Sequence, residues 1–102
     1  MGRITALPGD VDVRHEPDEQ RFAALDGGEM VGYLAYKAAG DGTLDLQHTV
    51  VPEAARGRGV GESLVRAAMD HARAEDLRVI PSCPFVQAWL EDNPDAKDLV
   101  RG

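Results

Sequence analysis

"VVPEAARGRGVGESLVRAA", residues 50–68, is the stretch on which the fold turns. Val50 and Val51 close a strand, Pro52 opens a loop, and Arg56-Gly57-Arg58-Gly59-Val60-Gly61 leads into a helix. The start of a helix leaves backbone N–H groups without intrahelical partners, and the aligned peptide dipoles add partial positive charge there. The glycines let an anion come close to that backbone, and two arginines add charge in an otherwise acidic chain. A phosphate-bearing ligand is the natural guest. The plainer alternative is a glycine-rich helix start that binds nothing.

Three patterns compete for this spacing. A P-loop ends in Gly-Lys followed by Ser or Thr; here Gly59-Val60-Gly61 runs into Glu62 and Ser63, so that pattern fails. A dinucleotide fingerprint needs G-x-G-x-x-G, whereas Gly57, Gly59 and Gly61 give G-x-G-x-G with Glu62 in the place of the last glycine. That fold also repeats βαβ units, and this chain offers only one. The third pattern, Gln/Arg-x-x-Gly-x-Gly/Ala, is met in full by Arg56, Gly59 and Gly61.

Upstream the chain reads as strands. Pro8-Gly9, Asp26-Gly27-Gly28 and Gly40-Asp41-Gly42 are turn signals. Val11 and Val13 alternate with Asp10, Asp12 and Arg14; "QRFAAL" (20–25) and "EMVGYLAYKA" (29–38) flank Asp-Gly-Gly and read as a hairpin. In "TLDLQHTVV" (43–51) strict alternation puts Leu44, Leu46, His48 and Val50 on one face and Asp45, Gln47 and Thr49 on the other. The first half is therefore an antiparallel meander of about four strands.

Downstream the period changes. Val60, Leu64, Ala68 and Ala72, with Val65 and Met69 beside them, form the apolar stripe of a helix over about 59–75. "LRVIPS" (77–82) reads as a short strand, and "PFVQAWLED" (84–92) as a helix with Pro84 in its first turn and Val86, Trp89 and Leu90 buried. "NPDAKDLV" gives a turn and one further helical turn.

Arg56-x-x-Gly59-x-Gly61 after a strand, followed by "ESLVRAAMDHAR", resembles the acetyl-coenzyme A motif of the GNAT acetyltransferase superfamily. With "HTVVPEAARGRGVGESLV" and "VIPSCPFVQAWLEDNP" it resembles, more narrowly, the small YjdJ-like subgroup, from about Arg21 to the end. The resemblance implies an α+β, GNAT-like domain: the meander leads into a mixed sheet with a V-shaped splay between its last two strands, and two main helices flank it. It implies acetyl-CoA as cosubstrate, with coenzyme A between strands 43–51 and 77–82. It further implies that the backbone from Arg56 through Gly57, Arg58, Gly59, Val60 and Gly61 to Glu62 holds the pyrophosphate, and that Val50 and Val51 pair with the pantetheine arm. The chain lacks the two helices that larger members place between their first strands to shape the acceptor site.

Acetyl transfer from a thioester to an amine requires deprotonating the amine, stabilising an oxyanion and releasing a thiolate. A backbone amide near Val50 or Val51 suits the oxyanion. Of three histidines, His48 is the best-placed base; its alternative is a cleft-wall residue holding one hydrogen bond. His15 and His71 read as surface residues. Cys83, beside Pro84, falls at or next to a helix N-cap, where a thiolate is stabilised. Within the subgroup it reads as a transient acetyl acceptor or as an acid to the leaving thiolate; the other reading is a small buried residue between two prolines. Tyr33 and Tyr36 fall on opposite faces of one strand, and Trp89 reads as core. The larger superfamily uses a tyrosine on the last helix as general acid; none stands there, so the role is absent or falls to Cys83.

The totals fit. A chain of 102 residues suits one domain, 1–102, with 1–9 as a loose N-terminus. A chain this short buries roughly 60–65% of its unfolded surface, enough for one modest core. A net charge of −7 excludes a general nucleic-acid binder. No apolar run approaches the ~20 residues of a membrane span, and "MGRITALPGD" lacks the apolar segment of a signal peptide. One cysteine makes no internal disulfide and no multi-cysteine metal site. The expectation is a cytoplasmic monomer or weak dimer with no metal, whose acceptor is an amine of a small molecule or protein. The rivals are an acetyl-CoA-binding module with little catalysis and an interaction domain whose glycine turn is only structural.

Overall fold

Alternating apolar and polar side chains drive the first half into extended strands. The computed structural model describes residues 11–55, 57 and 59–101. The loose N-terminus and Pro8-Gly9 turn expected at its start lie outside them, as do Arg56 and Arg58. Strands β1 (Asp12–Glu16), β2 (Arg21–Asp26), β3 (Glu29–Ala38) and β4 (Thr43–Val50) form the expected antiparallel meander. Asp26 pairs with Glu29 across Gly27 and Gly28, whose φ values of 61° and 89° suit the two-residue hairpin that twisted strands require.

Helix α1 (Val60–Ala74) crosses over to β5 (Arg78–Pro81), which lies parallel to β4 and completes the five-stranded order β1-β2-β3-β4-β5. The stripe read from the sequence is the stripe that packs: Val60, Leu64, Val65, Ala68, Met69 and Ala72 are all buried. They meet Phe22, Leu34, Tyr36, Leu46 and Val79 from the sheet in one core. Helix α2 (Pro84–Asp92) adds Val86, Trp89 and Leu90. Tyr36 is buried while Tyr33 lies on the other face, as the alternation requires. A 3₁₀ segment, Pro94–Leu99, then brings the chain back so that Val100 bridges Val79 and the Arg101 N–H donates to the Val79 carbonyl at 2.9 Å.

Two irregularities position the site. Parallel pairing between β4 and β5 runs from Thr43↔Arg78 to Leu46↔Pro81 and stops. One more tie, from the Cys83 N–H to the Leu46 carbonyl at 2.9 Å, holds the strands before β5 turns into α2 and β4 runs on alone to Val50. This is the expected V-shaped splay. The second irregularity is a bulge: Ala35 pairs with His48 but Tyr36 pairs with Leu46, so β4 carries one extra residue, Gln47, against β3. Among the described residues no helix is long and apolar enough to cross a membrane.

Candidate functional site at the mouth of the strand splay

The chemistry begins with the helix start. Gly59 is the N-cap of α1, with φ 76° in the left-handed region that glycine adopts without strain, and no side chain caps the helix. The Ser63 N–H makes the bond to the Gly59 carbonyl at 3.0 Å, so the amides of Val60, Gly61 and Glu62 precede the helix's own ladder. Nothing stands within 4 Å of where a Cβ would sit on Gly57 or Gly59, leaving that backbone open to a guest. Gly61 differs: a Cβ there would lie 2.7 Å from Cζ of Phe85, a ring on the first turn of α2 that is 44% exposed.

These groups surround a cavity of about 420 Å³, lined by Thr49, Val51, Ala55, Gly57, Gly59, Val60, Gly61, Glu62 and Phe85. It lies where β4 outruns β5 and meets the uncapped end of α1. Most of its wall is apolar or bare backbone; among the described lining residues only Thr49 and Glu62 carry polar side chains, and Glu62 reaches back to Arg66 at 3.4 Å. The donor set is thus backbone amide and dipole at one end and apolar wall at the other. That suits a ligand with a phosphate end and a slender uncharged arm.

Six of the residues read from the sequence as cofactor-binding line this cavity together: Val51, Gly57, Gly59, Val60, Gly61 and Glu62. Val50 does not. Its side chain points to the opposite face of the sheet, 39% exposed, beside Tyr33. Arg56 and Arg58 lie outside the described residues.

The candidate catalytic residues are separated. Strict alternation grouped His48 with Leu44, Leu46 and Val50; the bulge at Gln47 overturns that grouping. Past the bulge, Thr49 pairs with buried Leu34 and takes the core face, and His48 is turned to the exposed face, edge-on to Tyr33 at 6.2 Å between ring centroids. Cys83 is, as read, the N-cap of α2, with extended backbone (φ −78°, ψ 127°) and Pro84 after it. It is only 3% exposed. Its amide is held by Leu46, its carbonyl accepts the Gln87 N–H at 3.0 Å, and its sulfur lies 3.5 Å from the Thr49 hydroxyl. His48 and Cys83 therefore lie on opposite faces of β4 and form no pair.

Sequence reasoning missed Thr49, Ala55 and Phe85 at the cavity. Thr49 was hidden by the bulge. Phe85 was legible as a helix residue, and the glycine at position 61 was the one hint that something large must lie over it. Among the described residues no cluster of metal-ligating side chains occurs. Nor are His15 and His71 surface residues: both are half-buried, 4.4 Å apart between ring centroids, where β1 meets α1.

The likenesses to known proteins agree with this geometry. The family model described as GCN5-related N-acetyl-transferase matches residues 21–99. Protein NATD1 of Xenopus tropicalis is 39% identical over 92 residues, covering 89% of this chain and 84% of that protein. Protein NATD1 of Mus musculus is 37% identical over 94 residues, covering 91% and 86%. A GCN5-like protein from Staphylococcus aureus, solved by NMR, superposes with a TM-score of 0.69 at 27% identity over 89% of this chain and 88% of that one. The crystal structure of a ribosomal-protein-alanine N-acetyltransferase from Brucella melitensis superposes at 0.57 with 17% identity over 80% and 61%, a likeness of fold alone. These carry the family and not the narrower subgroup. On its matched residues, its sheet splay and its uncapped glycine turn, the chain belongs to the GCN5-related N-acetyltransferases.

Proposed function

We propose that the chain is an acetyl-CoA-dependent N-acetyltransferase that moves an acetyl group to an amine of a small molecule or protein. The observation that carries this reading is the cavity between the splayed strands and the uncapped start of α1. In this reading the amides from Gly59 to Glu62, with Gly57 giving room and Arg56 and Arg58 adding charge, hold the pyrophosphate. The backbone of Val50 and Val51 runs beside the pantetheine arm, and an amide there serves the oxyanion. Coenzyme A supplies the activated acyl group; the chain orients it and leaves the reaction to direct attack or to assistance from Cys83. The setting proposed is cytoplasmic, without a metal, in a monomer or weak dimer.

The test has two parts. Isothermal titration with acetyl-CoA is expected to give saturable binding with micromolar affinity, and silence at high micromolar concentrations refutes the reading. Following release of free thiol in the presence of an amine and peptide panel, Cys83→Ala is expected to slow turnover at least tenfold. Turnover equal to wild type assigns Cys83 to packing. A second reading, a binding module with little catalysis, is favoured by one observation: His48 faces away from the cavity and Cys83 does not line it. Binding without transfer to any member of the panel supports that alternative.

A further inference from the structure

Phe85 is a large ring where a helix normally shows water a polar side chain. Helix α2 buries Val86, Trp89 and Leu90 and turns Gln87, Glu91 and Asp92 outward; Phe85 is exposed with the second set and takes no part in the core. The sequence thus leaves apolar surface in water, which is unfavourable in proportion to its area. Of the large hydrophobic side chains exposed among the described residues, Met30, Val50 and Phe85, only Phe85 lines the cavity. It is also the only described lining residue from beyond β5; the others belong to β4, the loop after it and the start of α1. Phe85 therefore reaches over from the far arm of the splay, and its ring lands on α1. Its Cζ and Cε2 lie 2.7 and 3.0 Å from where a Gly61 Cβ would sit. Glycine weakens a helix, and at position 61 it makes room for this ring.

The place of the ring picks out one part of the ligand. An uncapped helix start favours a phosphate of any kind and does not tell one phosphate ligand from another. In coenzyme A the pyrophosphate continues, through one oxygen and one methylene, into a carbon that bears two methyl groups, the bulkiest apolar group of the pantetheine arm. With the pyrophosphate on the amides of Val60 to Glu62, those methyls lie within a few bonds of Gly61, and the apolar surface offered there is the Phe85 ring. We propose that Phe85 is a specificity-determining residue: its ring packs against the two methyl groups of the pantetheine arm and so selects coenzyme A thioesters over other phosphate ligands, nucleotides among them. The proposal rests on the reading that this cavity holds acetyl-CoA. Such a contact takes the exposed ring and the methyls out of water together. A contact of one or two methyl groups in an apolar pocket is worth discrimination on the order of tenfold.

Contact and affinity are read separately. The chain has two phenylalanines, and Phe22 is buried, so labelling phenylalanine rings with ¹³C gives one set of signals from the surface. With acetyl-CoA bound, the Phe85 ring protons are expected to show nuclear Overhauser effects to the two methyl singlets of the arm. Effects to the adenine protons instead, or none at all, overturn the proposal. By calorimetry, Phe85→Ala is expected to weaken acetyl-CoA about tenfold, and Phe85→Leu by less. ADP carries a pyrophosphate and no arm; its dissociation constant, measured by displacement of acetyl-CoA, is expected to be the same in wild type and Phe85→Ala. Unchanged acetyl-CoA affinity in Phe85→Ala, or an equal loss for ADP, overturns the proposal. Phe85 stands outside the core, so the urea midpoint of Phe85→Ala is expected to match wild type and the comparison is between folded proteins. Wild-type protein that gives no heat with acetyl-CoA sinks the acetyl-transfer reading itself. Wild-type binding joined to any of the overturning results removes the role of Phe85 alone.

Discussion

Two glycines show how much depends on what stands above a single Cα. A Cβ on Gly32 would lie 2.9 Å from the Val60 side chain and 3.0 Å from the Val50 carbonyl, and a carbonyl in a paired strand cannot step aside. Gly32→Ala is therefore expected to overpack the seam between β3 and α1 and to cost about 1–3 kcal/mol, read as a lower urea midpoint. A Cβ on Gly61 meets only the far edge of the Phe85 ring, which is exposed and can swing. Gly61→Ala gains helix propensity of up to about 1 kcal/mol, so its stability is expected to stay near wild type. The displaced ring narrows the cavity, and acetyl-CoA affinity is expected to fall at least tenfold by calorimetry. If both variants lose stability equally, the distinction between a packing glycine and a site glycine is wrong.

Where elements meet, the seam between β1 and α1 carries the clearest pH response. The His15 ring stacks on Phe22 at 4.4 Å, bonds the Tyr36 hydroxyl through Nε2 at 2.6 Å and faces His71. Burial first, and the neighbouring His71 second, push the His15 ring below its ordinary value of 6.5. Burial likewise pushes the Tyr36 hydroxyl up, which keeps it a neutral partner. The folded state thus prefers neutral His15. Its contribution is whole above pH 6.5 and is lost as pH falls from there through the lowered folded value. Urea midpoints are expected to drop between pH 7.5 and pH 5, and less so in His71→Gln, which removes the repelling partner; equal drops would place the response elsewhere. None of this was legible from composition, because His15 and His71 lie far apart in sequence and meet only when the sheet closes on α1. The helices and strands themselves were legible, since each buries one face and its period shows in the order of residues. The bulge was not: Gln47 suits either face of a strand, so nothing in "LDLQHTV" marks where the alternation slips.

At the scale of the whole molecule the chain's end acts as a brace. Leu99 and Ala96 are buried in the same core as α1 and α2, while Asp98 accepts two bonds from Arg73 at 3.0 Å on the surface above them. The Arg73 hydrogen bond holds the Asp98 carboxyl below its usual range, but both partners are more than half exposed. Water and salt weaken such pairs, so burial decides the ranking. Leu99→Ala is expected to cost about 2–5 kcal/mol, whereas Asp98→Asn should leave the urea midpoint close to wild type; the reverse order would make the ion pair the brace. In the meander, one inserted residue has a reach that no point substitution matches. A strand is read in twos, and Gln47 is a frameshift in that reading. Were β4 to pair with β3 without the bulge, all its residues kept, the parity would invert downstream: an imidazole would take the place of the hydroxyl beside the sulfur, and Val50 the place of Val51 at the cavity. The chemistry of this pocket is therefore held by one bulge, with every side chain needed for the other arrangement already present in the strand.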